Sequence, residues 1–149
     1  MTVRAATAAD IPAVLELVRS YWDFEGISGF NPPRVERVLQ QLVGGSPYGA
    51  MWVATHEPTL TGYLIVVLVM SLEHQGLMGE IDEFFVQPQA RSHGVGAQLL
   101  AAAEAELKRR GVVRLQLQIG AANARGRAFY ERHGYALRVG YELLDKALT

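Results

Sequence analysis

Val86-Gln87-Pro88-Gln89-Ala90-Arg91-Ser92-His93-Gly94-Val95-Gly96-Ala97 carries an apolar segment through a short loop with two glycines and directly into a helical pattern. Leu99, Leu100, Ala103 and Leu107 recur on one side of that helix, which stops at Arg109-Arg110-Gly111. A strand that turns this way into a helix leaves several backbone N–H groups pointing at one place, where hydrogen bonds and the helix dipole favour a phosphate. The Gly-x-Gly spacing also describes a plain tight turn, so the motif is read with its surroundings. A dinucleotide fingerprint would need a third glycine where Leu99 stands, and no Gly-Lys-Ser or Gly-Lys-Thr follows to make a Walker loop.

Downstream, Val113, Leu115, Leu117 and Ile119 alternate with polar residues as a half-buried strand does. A short helix is expected from Asn123 to His133, with Gly134 at its end, and Tyr135, Leu137, Val139, Tyr141 and Leu143 alternate as a last strand. Upstream, Val3 to Ala6 reads as a strand, and Asp10 can cap a helix carrying Ile11, Val14, Leu15, Val18 and Trp22. Pro32-Pro33 opens a second helix through Val35, Val38, Leu39 and Leu42, stopped by Gly44-Gly45. Met51 to Thr55 and Gly62 to Ser71 form an antiparallel pair, and a turn at Gln75-Gly76 leads to the apolar and acidic segment Glu80 to Val86.

At 149 residues with 50% hydrophobic and 19% charged residues, the chain reads as a single folded domain over 1–149. Fourteen Lys and Arg against fifteen Asp and Glu leave a net charge of −1, which gives no overall positive field for nucleic acid or an anionic membrane. The absence of cysteine removes disulfides, thiolate metal sites and a cysteine nucleophile. The apolar run Tyr63 to Met70 is far too short to span a bilayer, and the first residues lack a signal peptide's apolar core, so a cytoplasmic protein is expected. His56, His74, His93 and His133 stand far apart without metal-ligand spacing, and no metal is expected.

Two segments together resemble the GNAT superfamily of acetyl-CoA-dependent N-acyltransferases. The family's phosphate loop is matched by Arg91-Ser92-His93-Gly94-Val95-Gly96, and its second signature by Asn123 through Phe129-Tyr130-Glu131-Arg132-His133-Gly134-Tyr135, in the same order and at a similar separation. The resemblance covers essentially the whole chain. It implies an α/β (α+β) GNAT fold, with a mixed, mostly antiparallel central sheet of about six to seven strands flanked by about four helices. It also implies acetyl-CoA as cosubstrate, its pyrophosphate on the amides of Arg91, Ser92, His93, Gly94, Val95, Gly96 and Ala97, and its pantetheine arm between splayed fourth and fifth strands. A bulge near Phe84, Phe85 and Val86 would aim an amide at the acetyl carbonyl. Asn123 would touch the pantetheine arm or a water beside it, Arg127 or Arg125 the ribose phosphate, and Tyr130 would act as general acid toward the leaving thiolate. An open sheet with strand edges and the dimers common in the family together imply a homodimer for this chain. Ser92 stands where many members have glycine; a serine is tolerated there if its φ is negative, since its amide can still donate, whereas a required positive φ counts against the loop reading. Gly126 stands where they often have alanine, an exchange for close approach to the cofactor.

Transfer to an amine needs its neutral form, while a lysine-type amine has a pKa of about 10.4. Glu80, Asp82 and Glu83 are the candidate bases or acceptor ligands, although acidic residues at a strand start are often simply solvated. Strict alternation puts Glu80 and Asp82 on one face and Glu83 on the other, unless a bulge intervenes. Ile81-Asp82-Glu83-Phe84-Phe85-Val86 resembles the corresponding strand of diamine and polyamine acetyltransferases, which favours Asp82 and Glu83 as the pair. Tyr21, Trp22, Glu25 and Phe30 mix aromatic and acidic character suited to a cationic acceptor, with Trp22 equally placed to cover the core. The expected function is acetyl transfer to a primary amine, most simply a small cationic one, by direct attack in a ternary complex. A protein or peptide amine as acceptor, a catalytically silent acyl-CoA-binding module and a nucleotide-binding regulatory domain remain the alternatives, the last of them leaving the Asn123 to Tyr135 pattern unexplained.

Overall fold

A computed structural model describes residues 1–149, in which residues 1–117 form one compact unit and residues 118–149 a second. The first unit holds strands β1 (Thr2–Ala5), β2 (Gly49–His56), β3 (Thr59–Ser71), β4 (Gly76–Val86) and β5 (Arg114–Leu117). They lie in the order β1-β2-β3-β4-β5, antiparallel except for the parallel β4–β5 pair. Its helices are α1 (Ile11–Glu25), α2 (Pro32–Gln40) and α3 (Val95–Arg109), and the second unit holds α4 (Ala124–Arg132).

The sequence accounts for where these elements lie. The run Tyr63 to Val66 has no polar member because β3 is covered on both faces. Tyr63 and Ile65 join the core that Val14, Leu17, Val18 and Leu39 bring from α1 and α2. Leu64 and Val66, on the opposite face by alternation, are equally buried. Helix α3 packs on the sheet through Val95, Leu99, Leu100, Ala103 and Leu107, each Leu or Val worth about 1.5–3 kcal/mol of burial. Helix α2 starts where Asn31 Oδ1 accepts from the Arg34 amide at 3.1 Å. No helix is long and apolar enough to cross a membrane.

Several expectations are corrected. The sheet has five strands, not six to seven. The missing strand is Tyr135 to Leu143, where Gly140 at φ +92° turns the backbone and Leu137, Val139, Tyr141 and Leu143 stay 63–82% exposed; apolar alternation alone makes no strand without a neighbouring ladder. Helix α2 ends at Gln40, before Gly44-Gly45. Asp10 stands at the N-cap position of α1, but its side chain makes no capping hydrogen bond to that helix. Its carboxylate turns back to accept from both Arg4 guanidinium nitrogens at 2.7 and 2.9 Å and from the Thr7 amide at 2.7 Å. The paired Arg4 guanidinium is the main reason that its carboxyl is pulled down to about 2.

The feature that shapes the site is a bulge in β4. Ile65 faces Glu83 and Val66 faces Ile81, so Asp82 is an extra residue without a partner in β3. Phe84, Phe85 and Val86, where the bulge was expected, pair regularly with Leu64, Tyr63 and Gly62. On its other side β4 pairs with β5 only from Met78 to Ile81, so the ladder between them ends one residue before the bulge.

Candidate active site

In the loop before α3, Ser92 and Gly94 adopt left-handed φ values of +66° and +76°. The negative φ under which a serine would be tolerated at this position is absent, which counts against a phosphate loop that uses the Ser92 amide. A serine held there is strained by roughly 1–2 kcal/mol, which the glycine common at this position avoids. The reading of the loop then rests on the first turn of α3, a 15-residue helix that Gly94 opens. The amides of Val95, Gly96 and Ala97 lie in that turn, where helix geometry supplies no internal acceptor. Ser92, His93 and Gly94 are exposed, and a side chain built at Gly94 would meet nothing nearer than Gln98 Nε2 at 3.9 Å. Amides at the positive end of a long helix suit a phosphate group. The Arg91 side chain is turned away from this role: its Nε donates to the Val86 carbonyl at 2.8 Å, and its guanidinium lies over the rings of Phe24 and Phe85. It ties the loop to the end of β4. His93 Nδ1, 2.7 Å from the Arg91 carbonyl oxygen, braces the same turn.

The bulge brings Asp82 and Glu83, neighbours that a regular strand would send to opposite faces, onto the wall of one cavity. This cavity, of about 390 Å³, lies among α1, α2, β3 and β4 and is completed by Val18, Trp22, Gly29, Asn31, Arg34, Val35, Val38, Leu39, Leu42 and Ile65. Glu83 is fixed at both oxygens, Oε2 accepting from Trp22 Nε1 at 2.8 Å and Oε1 from the Tyr63 hydroxyl at 2.7 Å. Burial raises the Glu83 carboxyl above the usual carboxylate range and Asp82's charge adds to this, while the two hydrogen bonds pull it back. The Asp82 carboxyl is also raised, first by lost hydration and then by the charge of Glu80. Tyr63 is pushed far above the ordinary phenol range by burial and by the carboxylate it serves, so it remains a donor.

The structure brings together only part of the expected acceptor set. Trp22, Asp82 and Glu83 line the cavity, whereas Tyr21, Glu25 and Glu80 do not. Tyr21 packs on Phe85 with ring centroids 5.7 Å apart, and Glu25 is exposed on the last turn of α1. Glu80 sits before the bulge, opposite Val67 on one side and Gln116 on the other. Phe30 stacks edge-on against Trp22. Sequence reasoning missed Asn31, Arg34, Val35 and Val38, which it read only as parts of a loop and a helix. Arg34 did carry a signal: Phe30, Asn31, Arg37 and Val38 occupy its helical neighbour positions, so no carboxylate stands ready to pair with it.

Within the second unit, Asn123 caps α4, its Oδ1 accepting from the Gly126 amide at 2.9 Å. A side chain at Gly126 would meet Asn123 Nδ2 at 2.6 Å. The close approach at Gly126 is thus to the capping asparagine. Tyr130 is half-buried on α4, its ring edge-on to Phe129 at 5.3 Å and Tyr135 at 5.5 Å. Arg127 is half-buried and Arg125 exposed on the same helix.

The profile of the acetyltransferase (GNAT) family matches residues 12–135, running through both units. An uncharacterized N-acetyltransferase YhfO of Bacillus subtilis is 25% identical over 148 residues, 95% of this chain and 93% of that protein. The aminoalkylphosphonate N-acetyltransferase of Salmonella typhimurium is 31% identical over 83 residues, 56% of this chain and 54% of that one. Among solved structures, an integron cassette protein from the mobile metagenome of Cole Harbour Salt Marsh superposes with a TM-score of 0.86 and 28% identity, covering 99% of this chain and 90% of its own.

Proposed function

Because this chain belongs to the acetyltransferase (GNAT) family, we propose that it transfers acetyl from acetyl-CoA to a small primary amine that arrives as an ammonium cation. The observation that carries this reading is the Asp82–Glu83 pair on one wall of a small-molecule-sized cavity. Two carboxylates on one wall favour a cation, and burial raises their proton affinity above that of an ordinary carboxylate, which makes either a better proton acceptor. The relative named for aminoalkylphosphonates supports a small amine as acceptor. The family match across residues 12–135 supports one catalytic domain spanning both units.

In this reading acetyl-CoA supplies an activated thioester, and the chain's residues hold the partners and move two protons. The amides of Val95, Gly96 and Ala97 bind the pyrophosphate. Glu83, locked by Trp22 and Tyr63, holds the ammonium by charge. Asp82, whose oxygens are not committed in the same way, takes the ammonium proton directly or through a water, which frees the nitrogen lone pair. The new N–C bond forms as the C–S bond breaks, the Tyr130 hydroxyl gives its proton to the departing sulfur, and the second proton that the nitrogen sheds on becoming an amide returns through water to the Tyr130 oxygen. Strand amides of Phe84 to Val86 are the candidate donors to the carbonyl oxygen.

The test is CoA thiol release from acetyl-CoA across a panel of amines with a no-acceptor control. Release accelerated by small primary amines supports the reading. Acetyl-CoA binding without acceleration by any amine or peptide would establish a silent acyl-CoA-binding module instead.

A further inference from the structure

The cavity lining carries charge of both signs together with apolar side chains. Asp82 and Glu83 stand on the β4 wall, while Arg34 lines the cavity from the first turn of α2. Val18, Val38 and Leu42 add apolar side chains to the same lining. Arg34 is exposed, and its guanidinium is in none of the ion pairs, which join Arg4 to Asp10, Arg19 to Glu16 and Arg109 to Glu106. Its backbone N–H, by contrast, is used by Asn31. A planar five-donor fork without a carboxylate of its own is the side chain best suited to grip a planar or tetrahedral acid group.

Resting on the reading of this cavity as the acceptor site, we propose that the acceptor is an amino acid in the broad sense: a primary amine joined by a short apolar spacer to a carboxylate or phosphonate. The ammonium end meets Asp82 and Glu83, and the acid end meets Arg34. A diamine places its second cation beside Arg34, where like charges repel, and so is disfavoured. A plain alkylamine leaves Arg34 unpaired.

The experiment compares ethylamine, β-alanine, aminoethylphosphonate and ethylenediamine, which share one carbon spacer. Each is assayed for kcat/KM by thiol release and for binding by calorimetry to the protein holding CoA. We expect the two acid-bearing amines to exceed the other two by about tenfold in both readouts, the gain from a charge-assisted hydrogen bond. In Arg34→Gln that preference collapses toward unity, and in Arg34→Lys part of it survives. Equal or better use of ethylamine or ethylenediamine by the wild type overturns the proposal, as does an unaltered preference in Arg34→Gln. Should Arg34→Gln fail to fold, the wild-type panel and Arg34→Lys decide. Silence of all four amines in the kinetic assay overturns the transfer reading, and the calorimetric preference then decides this one. The carboxylate and phosphonate arms show which acid group is the better ligand, either of them supporting the proposal.

Discussion

The Asp82–Glu83 wall and the Asn123–Tyr135 segment are built in opposite ways. The second is local: Asn123 caps the helix three residues before Gly126, and Tyr130 packs on Phe129 and on Tyr135 just beyond the same helix. The first is assembled from distant parts, with Trp22 on α1 and Tyr63 on β3 meeting Glu83 on β4. Its shared face exists only because one extra residue enters the ladder at Asp82. Local segments write their geometry into adjacent residues, whereas the wall needs the whole sheet and two helices in place.

That contrast can be broken by mutation. The largest effect is expected from the local segment: Tyr130→Phe keeps the ring contacts and removes one hydroxyl, so kcat should fall about 100-fold with acetyl-CoA affinity nearly intact. Unchanged turnover would remove Tyr130 from the chemistry. Next, Gly94→Asp puts a side chain at φ +76° and an anion beside the proposed pyrophosphate site; acetyl-CoA affinity measured by calorimetry should drop about tenfold or more. A retained Kd would count against the loop. On the assembled wall, Trp22→Phe deletes the donor to Glu83 Oε2 while keeping an aromatic ring against Phe30. The Glu83 carboxyl should then rise further, and kcat/KM for the amine should fall about threefold, the loss being in KM more than in kcat. A fall in kcat alone would instead place Trp22 in the chemical step.

The smallest effect lies outside both regions. Asp10 has its carboxyl lowered to about 2 from an ordinary 3.8, so its contribution to stability is complete above about pH 4 and is lost as pH falls through about 2. With Arg4 42% exposed, solvent screening leaves about 1 kcal/mol. Asp10→Asn should therefore lower the melting temperature at neutral pH, and the difference from wild type should shrink through about pH 2 and vanish below it. A difference that persisted there would mean that the pair acts by packing rather than charge.

The same contrast explains what the amino acids disclosed. The turn into α3, the capped helix at Asn123 and the amphipathic α1 and α3 follow from neighbours in sequence and were legible, but the left-handed backbone of Ser92 within that turn was not. The place of the bulge was not: the resemblance put it near Phe84 to Val86, Ile81-Asp82-Glu83-Phe84 gives no local reason to depart from alternation, and the departure at Asp82 is fixed by pairing with β3. Trp22 was legible as an apolar-face residue, but its indole N–H found a carboxylate 61 positions away. Asp10 has the residue type of a helix cap, and Arg4 claimed its carboxylate from β1. The alternation from Tyr135 to Leu143 has strand periodicity without a ladder to join, which periodicity cannot reveal.

The central claim is that Asp82 takes the proton of the incoming ammonium, and the pH dependence of kcat/KM for a primary amine in wild type and Asp82→Asn tests it directly. The wild type should lose activity on the acid side at a pH above the ordinary carboxylate range, following the raised Asp82 carboxyl. Asp82→Asn should fall about 100-fold near neutral pH and recover steadily toward the amine's own pKa, where free amine no longer needs a base. A variant whose rate and profile match the wild type at every pH would contradict the account.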